Sequence, residues 1–274
     1  MNTNSIPVLT IDHVSKRFGD RQALRDVCVT LAPGELVAVI GRSGAGKTTF
    51  LRCLACFTPV TEGRIRFADQ DLATLRGAAL RRHRCCVGMI YQQFNLVRRL
   101  RVIDNVLVGR LGHLTGWQAW AALFRRFESR ETEIALRCLD HVGLLDRAWQ
   151  RTDTLSGGEQ QRVAIAKILA QDPSLILADE PIASLDLVNG ELVMGTLQRI
   201  ARDLGLSVVA TLHHVDFARR YADRVLGFQA GRLVFDGIPA DLCDEALREL
   251  FGAGPADSPP PEVQPIAAFQ LVTS

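Results

Sequence analysis

Residues Gly41-Arg42-Ser43-Gly44-Ala45-Gly46-Lys47-Thr48 form a glycine-spaced loop ending in a lysine and a hydroxyl, with Thr49 following. The apolar run 36–40 precedes it and a helical pattern follows it, so this G-x-x-x-x-G-K-[ST] spacing sits between a strand and a helix. The chemistry such a loop offers is phosphate binding. Its glycines let the backbone wrap around oxyanions and aim N–H groups at them, and the helix N-terminus adds to the attraction. Lys47 is then expected to bridge the β- and γ-phosphates of a nucleoside triphosphate, and the Thr48 hydroxyl to ligate Mg²⁺.

Two more groups of residues extend this chemistry. Asp179-Glu180 ends the apolar stretch 175–178. Both carboxylates should therefore emerge at the carboxyl edge of a sheet, where ligands bind in doubly wound folds. Asp179 suits a Mg²⁺-holding role and Glu180 suits a base that polarises attacking water. Leu155-Ser156-Gly157-Gly158-Glu159 opens a second helix that carries Gln160 and Gln161. Its small residues and free N–H groups make another anion-binding helix start. One triphosphate does not need two such ends from one subunit. The economical reading is a composite site, in which Ser156 of one copy reaches the γ-phosphate held by a second copy.

These groups need a scaffold that brings strand ends together. Apolar runs at 36–40, 175–178 and 208–212 read as strands buried on both faces. Helical stretches at 159–170 and 190–203 lie between or after them, so strands alternate with helices and an α/β fold with a parallel sheet follows. Segments 9–14 and 27–31 add an antiparallel layer at the start. Roughly 94–153 reads as an inserted helical subdomain, with apolar periodicity through Ile134, Ala135, Cys138, Leu139 and Val142. Residues 6–252 form the globular part. The tail 253–274 is proline-rich and nearly uncharged, and its composition predicts disorder.

Composition narrows the partners. The 274 residues are 47% apolar and carry a formal charge of +2, which gives no whole-molecule field for a nucleic acid, and none is expected as a partner. Local charge differs: from Arg76 to Ile103 there is no acidic residue, while Arg76, Arg81, Arg82, Arg84, Arg98, Arg99 and Arg101 are basic. That stretch is either a solvated helix face or a surface turned to acidic headgroups or a membrane subunit. No apolar run reaches the length of a membrane span, the nearest being 117–124, and residues 1–7 lack the features of a signal peptide. A cytosolic protein is expected. Seven scattered cysteines fit a reducing compartment. Cys53 and Cys56 are placed on the helix after the phosphate loop as small core residues, and a metal site with Cys85 and Cys86 is not expected.

Taken together, these motifs resemble those of the ATP-binding subunits of ABC transporters, over nearly the whole chain from about residue 6 to 251. The resemblance implies a RecA-like P-loop core, ATP with Mg²⁺ as the ligand, and a head-to-tail dimer attached to integral membrane permease subunits. It further implies that Gln92, within 89–96, is the glutamine that senses Mg²⁺ and water while contacting the membrane subunit. Ser184-Leu185-Asp186 looks like the loop linking the two ATP sites across the dimer. His213 looks like the histidine that contacts the γ-phosphate, chosen over His214 on spacing. Phe18 lies where the family places an aromatic that stacks on adenine.

The stretches 94–97, 105–112, 178–186 and 212–217 are further similar to the bacterial phosphonate-import ATP-binding subunits. That resemblance implies a peripheral protein on the cytoplasmic face of the inner membrane, served indirectly by a periplasmic phosphonate-binding protein. Some residues depart from the pattern. Glu159 stands where glutamine is frequent and is shared with lipoprotein-release and macrolide-efflux ATPases. Leu187 replaces a usual proline, His214 a common glutamine, and Arg98 with Arg99 makes the permease-facing stretch more basic. Alternative functions are another importer such as one for phosphite, a lipoprotein-release or efflux ATPase, or an accessory ABC protein of phosphonate breakdown.

Overall fold

A computed structural model describes residues 8–68, 70–114 and 127–251. The chain runs β1 (Leu9–Phe18), β2 (Arg21–Leu31), β3 (Leu36–Ile40), α1 (Lys47–Leu54), β4 (Glu62–Phe67), β5 (Gln70–Asp71), α2 (Gly77–Cys86) and β6 (Val87–Ile90). It continues through α3 (Val102–Leu107), α4 (Ser129–His141), α5 (Gly157–Ala170), β7 (Leu175–Asp179), α6 (Leu187–Leu204) and β8 (Ser207–Thr211). The last elements are α7 (Val215–Tyr221), β9 (Arg224–Gln229), β10 (Arg232–Gly237) and α8 (Asp244–Phe251). The apolar segment 117–124 and the tail 253–274, both singled out in the sequence, lie outside the described residues.

Two sheets result. The larger has the order β10-β9-β3-β8-β7-β6, parallel from β9 to β6 with β10 antiparallel at its edge. The smaller is antiparallel, ordered β2-β1-β4-β5. All five residues of β3 are buried because the strand has a core on each side. Val37 and Val39 face a cluster with Phe50, Leu51 and Leu54 of α1 and Leu24 and Val27 of β2. Leu36, Ala38 and Ile40 face the opposite cluster, with Ile165 of α5 and Val193 and Leu197 of α6. Two-sided burial explains the unbroken apolar runs, and each such side chain contributes about 1.5–3 kcal/mol relative to exposure. Phe50 packs on Phe228 of β9 with ring centroids 5.1 Å apart, which fixes α1 against that strand.

Helices α3, α4 and α5 pack through Val102, Ile103, Val106, Ala135, Cys138, Leu139 and Val163. Asn105, 1% exposed, pins the loops around them: its Nδ2 donates to Thr152 Oγ1 (2.9 Å) and Val97 O (3.1 Å), and its Oδ1 accepts from Val97 N (2.8 Å). One expectation fails at the end of α1. The helix stops at Leu54, and Cys56 lies beyond it with φ 54°, so Cys53 is on the helix and Cys56 is not. Cysteine is apolar enough to prolong the helical pattern past the point where the backbone leaves it. All seven cysteines are free thiols, and burial pushes the Cys53 thiol up to about 11. Among the described residues, no helix is long and apolar enough to cross a membrane.

Candidate nucleotide site

Parallel strands deliver their carboxyl ends to one edge, and β3, β8 and β7 are neighbours there. The loop after β3 turns through Gly41 at φ 144° and Gly46 at φ 106°. A Cβ at Gly41 would collide with the Phe228 carbonyl, and one at Gly46 would sit 2.5 Å from Ala23 O, so both positions need glycine. Gly46 caps α1 without any side-chain hydrogen bond, and no acidic residue stands in the first turn. The start of α1 therefore keeps its N–H groups and its positive end for an anion.

Lys47 is 5% exposed and donates through Nζ to Gly41 O (2.7 Å) and Arg42 O (3.1 Å). Burial pushes its pKa down, while the charges of Glu180 and Asp179 push it back up. The loop borders a cavity of about 310 Å³ lined by Phe18, Arg21, Ala23, Ser43, Gly44, Gly46, Lys47, Thr48, Thr49 and Glu180. Phe18 is 51% exposed there, with the Lys16 ammonium 4.8 Å from its ring centre. Ala45 is buried in the core instead, and the Arg42 guanidinium bonds Phe251 O at 3.1 Å.

A hydroxyl and carboxylate cluster closes the cavity's other side. Thr48 Oγ1 donates to Asp179 Oδ1 at 3.1 Å, and Thr211 Oγ1 donates to the same oxygen at 3.0 Å. Thr211 also accepts from Glu180 N at 2.8 Å. Glu180 has φ 52°, a left-handed conformation that costs a non-glycine residue about 1–3 kcal/mol. The Thr211 bond and the His213 ring, whose Nε2 lies 2.6 Å from Glu180 Oε1, hold it in that conformation. Fully buried Thr211 was not singled out in the sequence; the parallel pairing of Asp179 with Thr211 is what brings it to the carboxylates.

The remaining sequence-selected residues stand apart. Ser156, Gly157, Gly158, Glu159 and Asp186 do not line this cavity. Ser156 Oγ accepts from Glu159 N (3.2 Å) and Glu159 Oε2 accepts from Ser156 N (2.9 Å), a reciprocal cap of α5. That backbone N–H bond holds the Glu159 carboxyl below its usual pKa. The cap uses Ser156 Oγ as an acceptor and does not use its hydroxyl hydrogen. Asp186 caps α6 by accepting from Asn189 N (3.0 Å) and Nδ2 (2.6 Å), and a Cβ on Gly158 would run into the Asn189 side chain. Asn189 therefore packs the start of α6 closely against the start of α5. Gln92 is exposed just beyond β6, the strand beside β7, and lies outside the cavity lining. A separate cavity of about 330 Å³ is walled mainly by apolar residues including Ile65, Leu72 and Leu80. Its Arg76 is already engaged with Ala73 O (3.0 Å) and Leu75 O (2.7 Å).

Fold and site together define a P-loop nucleotide-binding ATPase. The family profile described as ABC transporter matches residues 24–183. The chain is 46% identical over 244 residues to the phosphonates import ATP-binding protein PhnC 2 of Rhodopseudomonas palustris, covering 89% of each. It is 45% identical over 266 residues to the phosphonates import ATP-binding protein PhnC of Bradyrhizobium diazoefficiens, covering 96% of this chain and 98% of that one. A dimeric ATP-binding cassette in a post-hydrolysis state, bound to ADP and Pi, matches with a TM-score of 0.71 at 31% identity, covering 84% of this chain and 98% of the other. The chain belongs to the ABC transporter family as a nucleotide-binding, ATP-hydrolysing member.

Proposed function

We propose that the protein is the ATP-hydrolysing subunit of an importer that takes up phosphonates across the inner membrane. The similarity to phosphonate-import ATP-binding proteins, which runs over 89–98% of their length, supports this cargo. The observation that carries the hydrolytic role is the meeting of Lys47, Thr48, Asp179, Glu180 and His213 around the phosphate loop. ATP lies with its phosphates on Gly41 to Thr49 and its adenine against Phe18. Thr48 Oγ1 and Asp179 Oδ1 lie 3.1 Å apart and offer the hard oxygen donors that Mg²⁺ prefers, so the residues fit that ion. Bound there, it supplies charge neutralisation for the β- and γ-phosphates. Glu180 polarises the attacking water, and His213 orients Glu180 and contacts the γ-phosphate.

The second half of each site comes from a second copy, through Ser156, Gly157, Gly158, Glu159 and Asp186. Their distance from the cavity lining supports a head-to-tail dimer. So does the exposed apolar patch beside Asp186, where Leu187 and Val188 are 67% and 68% exposed. Closure then pulls on permease subunits through the Gln92 loop at the cytoplasmic face, with a periplasmic phosphonate-binding protein delivering cargo from the other side. Residues 6–252 form the ATPase domain and 94–153 its helical subdomain.

The test is growth on a phosphonate as sole phosphorus source. A Lys47→Ala copy is expected to abolish growth on phosphonate and leave growth on phosphate intact, and unchanged growth on phosphonate overturns the cargo. Glu180→Gln is expected to bind ATP and accumulate as a dimer, and adding Ser156→Arg to remove that dimer. A dimer that survives Ser156→Arg argues against the shared site.

A further inference from the structure

We propose that Asp12, His13 and Cys28 form a binding site for a zinc-like divalent transition-metal ion on the antiparallel sheet, separate from the nucleotide cavity. One ligand atom from each of these three residues lies within 4.8 Å of the other two. Among the described residues, no other three His, Cys, Asp or Glu side chains gather in this way.

The backbone is bent to make the cluster. In a regular strand Asp12 and His13 would project to opposite faces and could not share an ion. Here His13 has φ 48° and Asp26, on the paired strand β2, has φ 52°. The β1–β2 register shifts between Ile11 and Val14, at these residues. Bulges of this kind re-aim side chains, and the result places His13 Nε2 only 3.8 Å from Asp12 Oδ1.

Hydrogen bonds hold two of the three donors, His13 and Cys28. His13 Nδ1 lies 2.7 Å from Asp26 Oδ1, so in the neutral ring the proton sits on Nδ1 and the Nε2 lone pair is the one offered to a metal, which must displace a proton from Nε2 when the ring is charged. A carboxylate behind a ligating histidine orients the ring and raises its basicity. His13 N donates to Cys28 Sγ at 3.2 Å, which holds the sulfur beside the histidine. One imidazole nitrogen, one thiolate and one carboxylate form a mixed N/S/O set that suits Zn²⁺ and not Mg²⁺. Bond lengths of 2.0–2.3 Å in a tetrahedron put donor atoms about 3.3–3.8 Å apart. The observed spacing, at most 4.8 Å, needs donor atoms to close by about 1.5 Å at most, which these exposed side chains can make. Thiolate and carboxylate balance the ion's charge, and three protein ligands leave a fourth position open to water or an outside group. An ion here would clamp β1 to β2, the pair that carries Phe18 to the nucleotide cavity.

The full-length protein, stripped of metal, kept reduced and free of nucleotide, is titrated with Co²⁺ and then displaced with Zn²⁺. One equivalent of Co²⁺ is expected, with a thiolate-to-cobalt charge-transfer absorption and a rise in melting temperature. Cys28→Ser should remove the absorption, and His13→Ala and Asp12→Asn should each weaken Co²⁺ binding at least tenfold. Lys47→Ala should leave the absorption intact. Binding without the sulfur absorption, or an absorption that survives Cys28→Ser or His13→Ala, overturns the proposal. So does the absence of stoichiometric binding. Far-ultraviolet circular dichroism of each variant checks that it is folded.

Discussion

Thr211→Val is a nearly isosteric change that removes one hydroxyl from the centre of the cluster of Thr48, Asp179 and Glu180, which we propose is hydrolytic. In the native protein that hydroxyl donates to Asp179 Oδ1 at 3.0 Å and accepts from Glu180 N at 2.8 Å, with no exposed surface. Valine leaves the Glu180 N–H unpaired, at a cost of about 1–3 kcal/mol, and takes a donor from a carboxylate, a bond worth about 1.5–3 kcal/mol. Glu180 holds a left-handed φ of 52° that its surroundings must enforce. Once its N–H loses Thr211, relaxing toward an ordinary conformation becomes favourable and carries the carboxylate away from its place beside His213. If the whole carboxylate interaction is lost from the transition state, kcat falls about 10- to 150-fold at 1.36 kcal/mol per decade. ATP affinity should change less than threefold, because Lys47 and the loop N–H groups are untouched. Phosphate release measures kcat, a fluorescent nucleotide measures affinity, and thermal melting reports the stability loss. Thr211→Ser keeps the hydroxyl and should restore kcat to within a fewfold of the native value. A Thr211→Val protein with kcat within twofold of native would show that Glu180 does not depend on Thr211, and the reasoning would fail.

Phe18→Ala should weaken ATP and ADP binding about 5- to 150-fold, the worth of about 1–3 kcal/mol for stacking a base on an aromatic ring. Binding of tripolyphosphate, which has no base, should not change; equal weakening of both would place Phe18 in the scaffold. His83 is 5% exposed beneath Phe67, and burial holds its imidazole pKa below 6.5. The unfolded chain takes up this proton near pH 6.5 and the folded chain only at lower pH. Its contribution is therefore present above pH 6.5 and is lost as pH falls through the folded value, with a slope of at most about 1.4 kcal/mol per pH unit. Urea midpoints for the native protein and His83→Gln, compared at pH 7.5 and 5.5, should show the variant losing less on acidification; identical losses would refute the assignment.

How much of this was legible in the sequence depends on whether a feature is local to the backbone. The shape of the 41–48 loop was legible because its glycines fall within eight consecutive residues, and the strand and helix around it are set by neighbouring apolar residues. The strands at 36–40 and 175–178 were legible for the same reason, since burial on both faces leaves an unbroken apolar run. Thr211 was not, because a threonine at the end of a buried strand is ordinary until the register pairs it with Asp179, 32 residues away. Asp12, His13 and Cys28 were hidden further still. Their approach needs a register shift and two left-handed residues, none of which the residue types announce. Cys56 was misplaced in the opposite sense, by a local pattern that outlasted the helix.

The helix starts separate what the motifs alone could not. Sequence presents both α1 and α5 as anion-binding ends, and the structure caps them differently. The start of α1 has only Gly46, with no side chain competing for its N–H groups. The start of α5 is already closed by Ser156 and Glu159, and that of α6 by Asp186. An anion reaching α1 therefore meets N–H groups with no side-chain acceptor on them, whereas one reaching α5 meets a helix end whose Ser156 and Glu159 N–H groups are already taken and whose carboxylate repels it. In the proposed function, the primary hold on the nucleotide comes from the Lys47 loop. The Ser156 end, with Glu159 beside it, is suited to a weaker contact that forms only when a second copy brings the γ-phosphate to it. Glu159→Gln removes the repelling charge while keeping an acceptor for Ser156 N, so it should tighten ATP-dependent dimerisation and leave monomer affinity for ATP unchanged. Sedimentation of Glu180→Gln with and without this second change measures it, and a weaker dimer in the double variant would refute the assignment of Glu159 to the shared face.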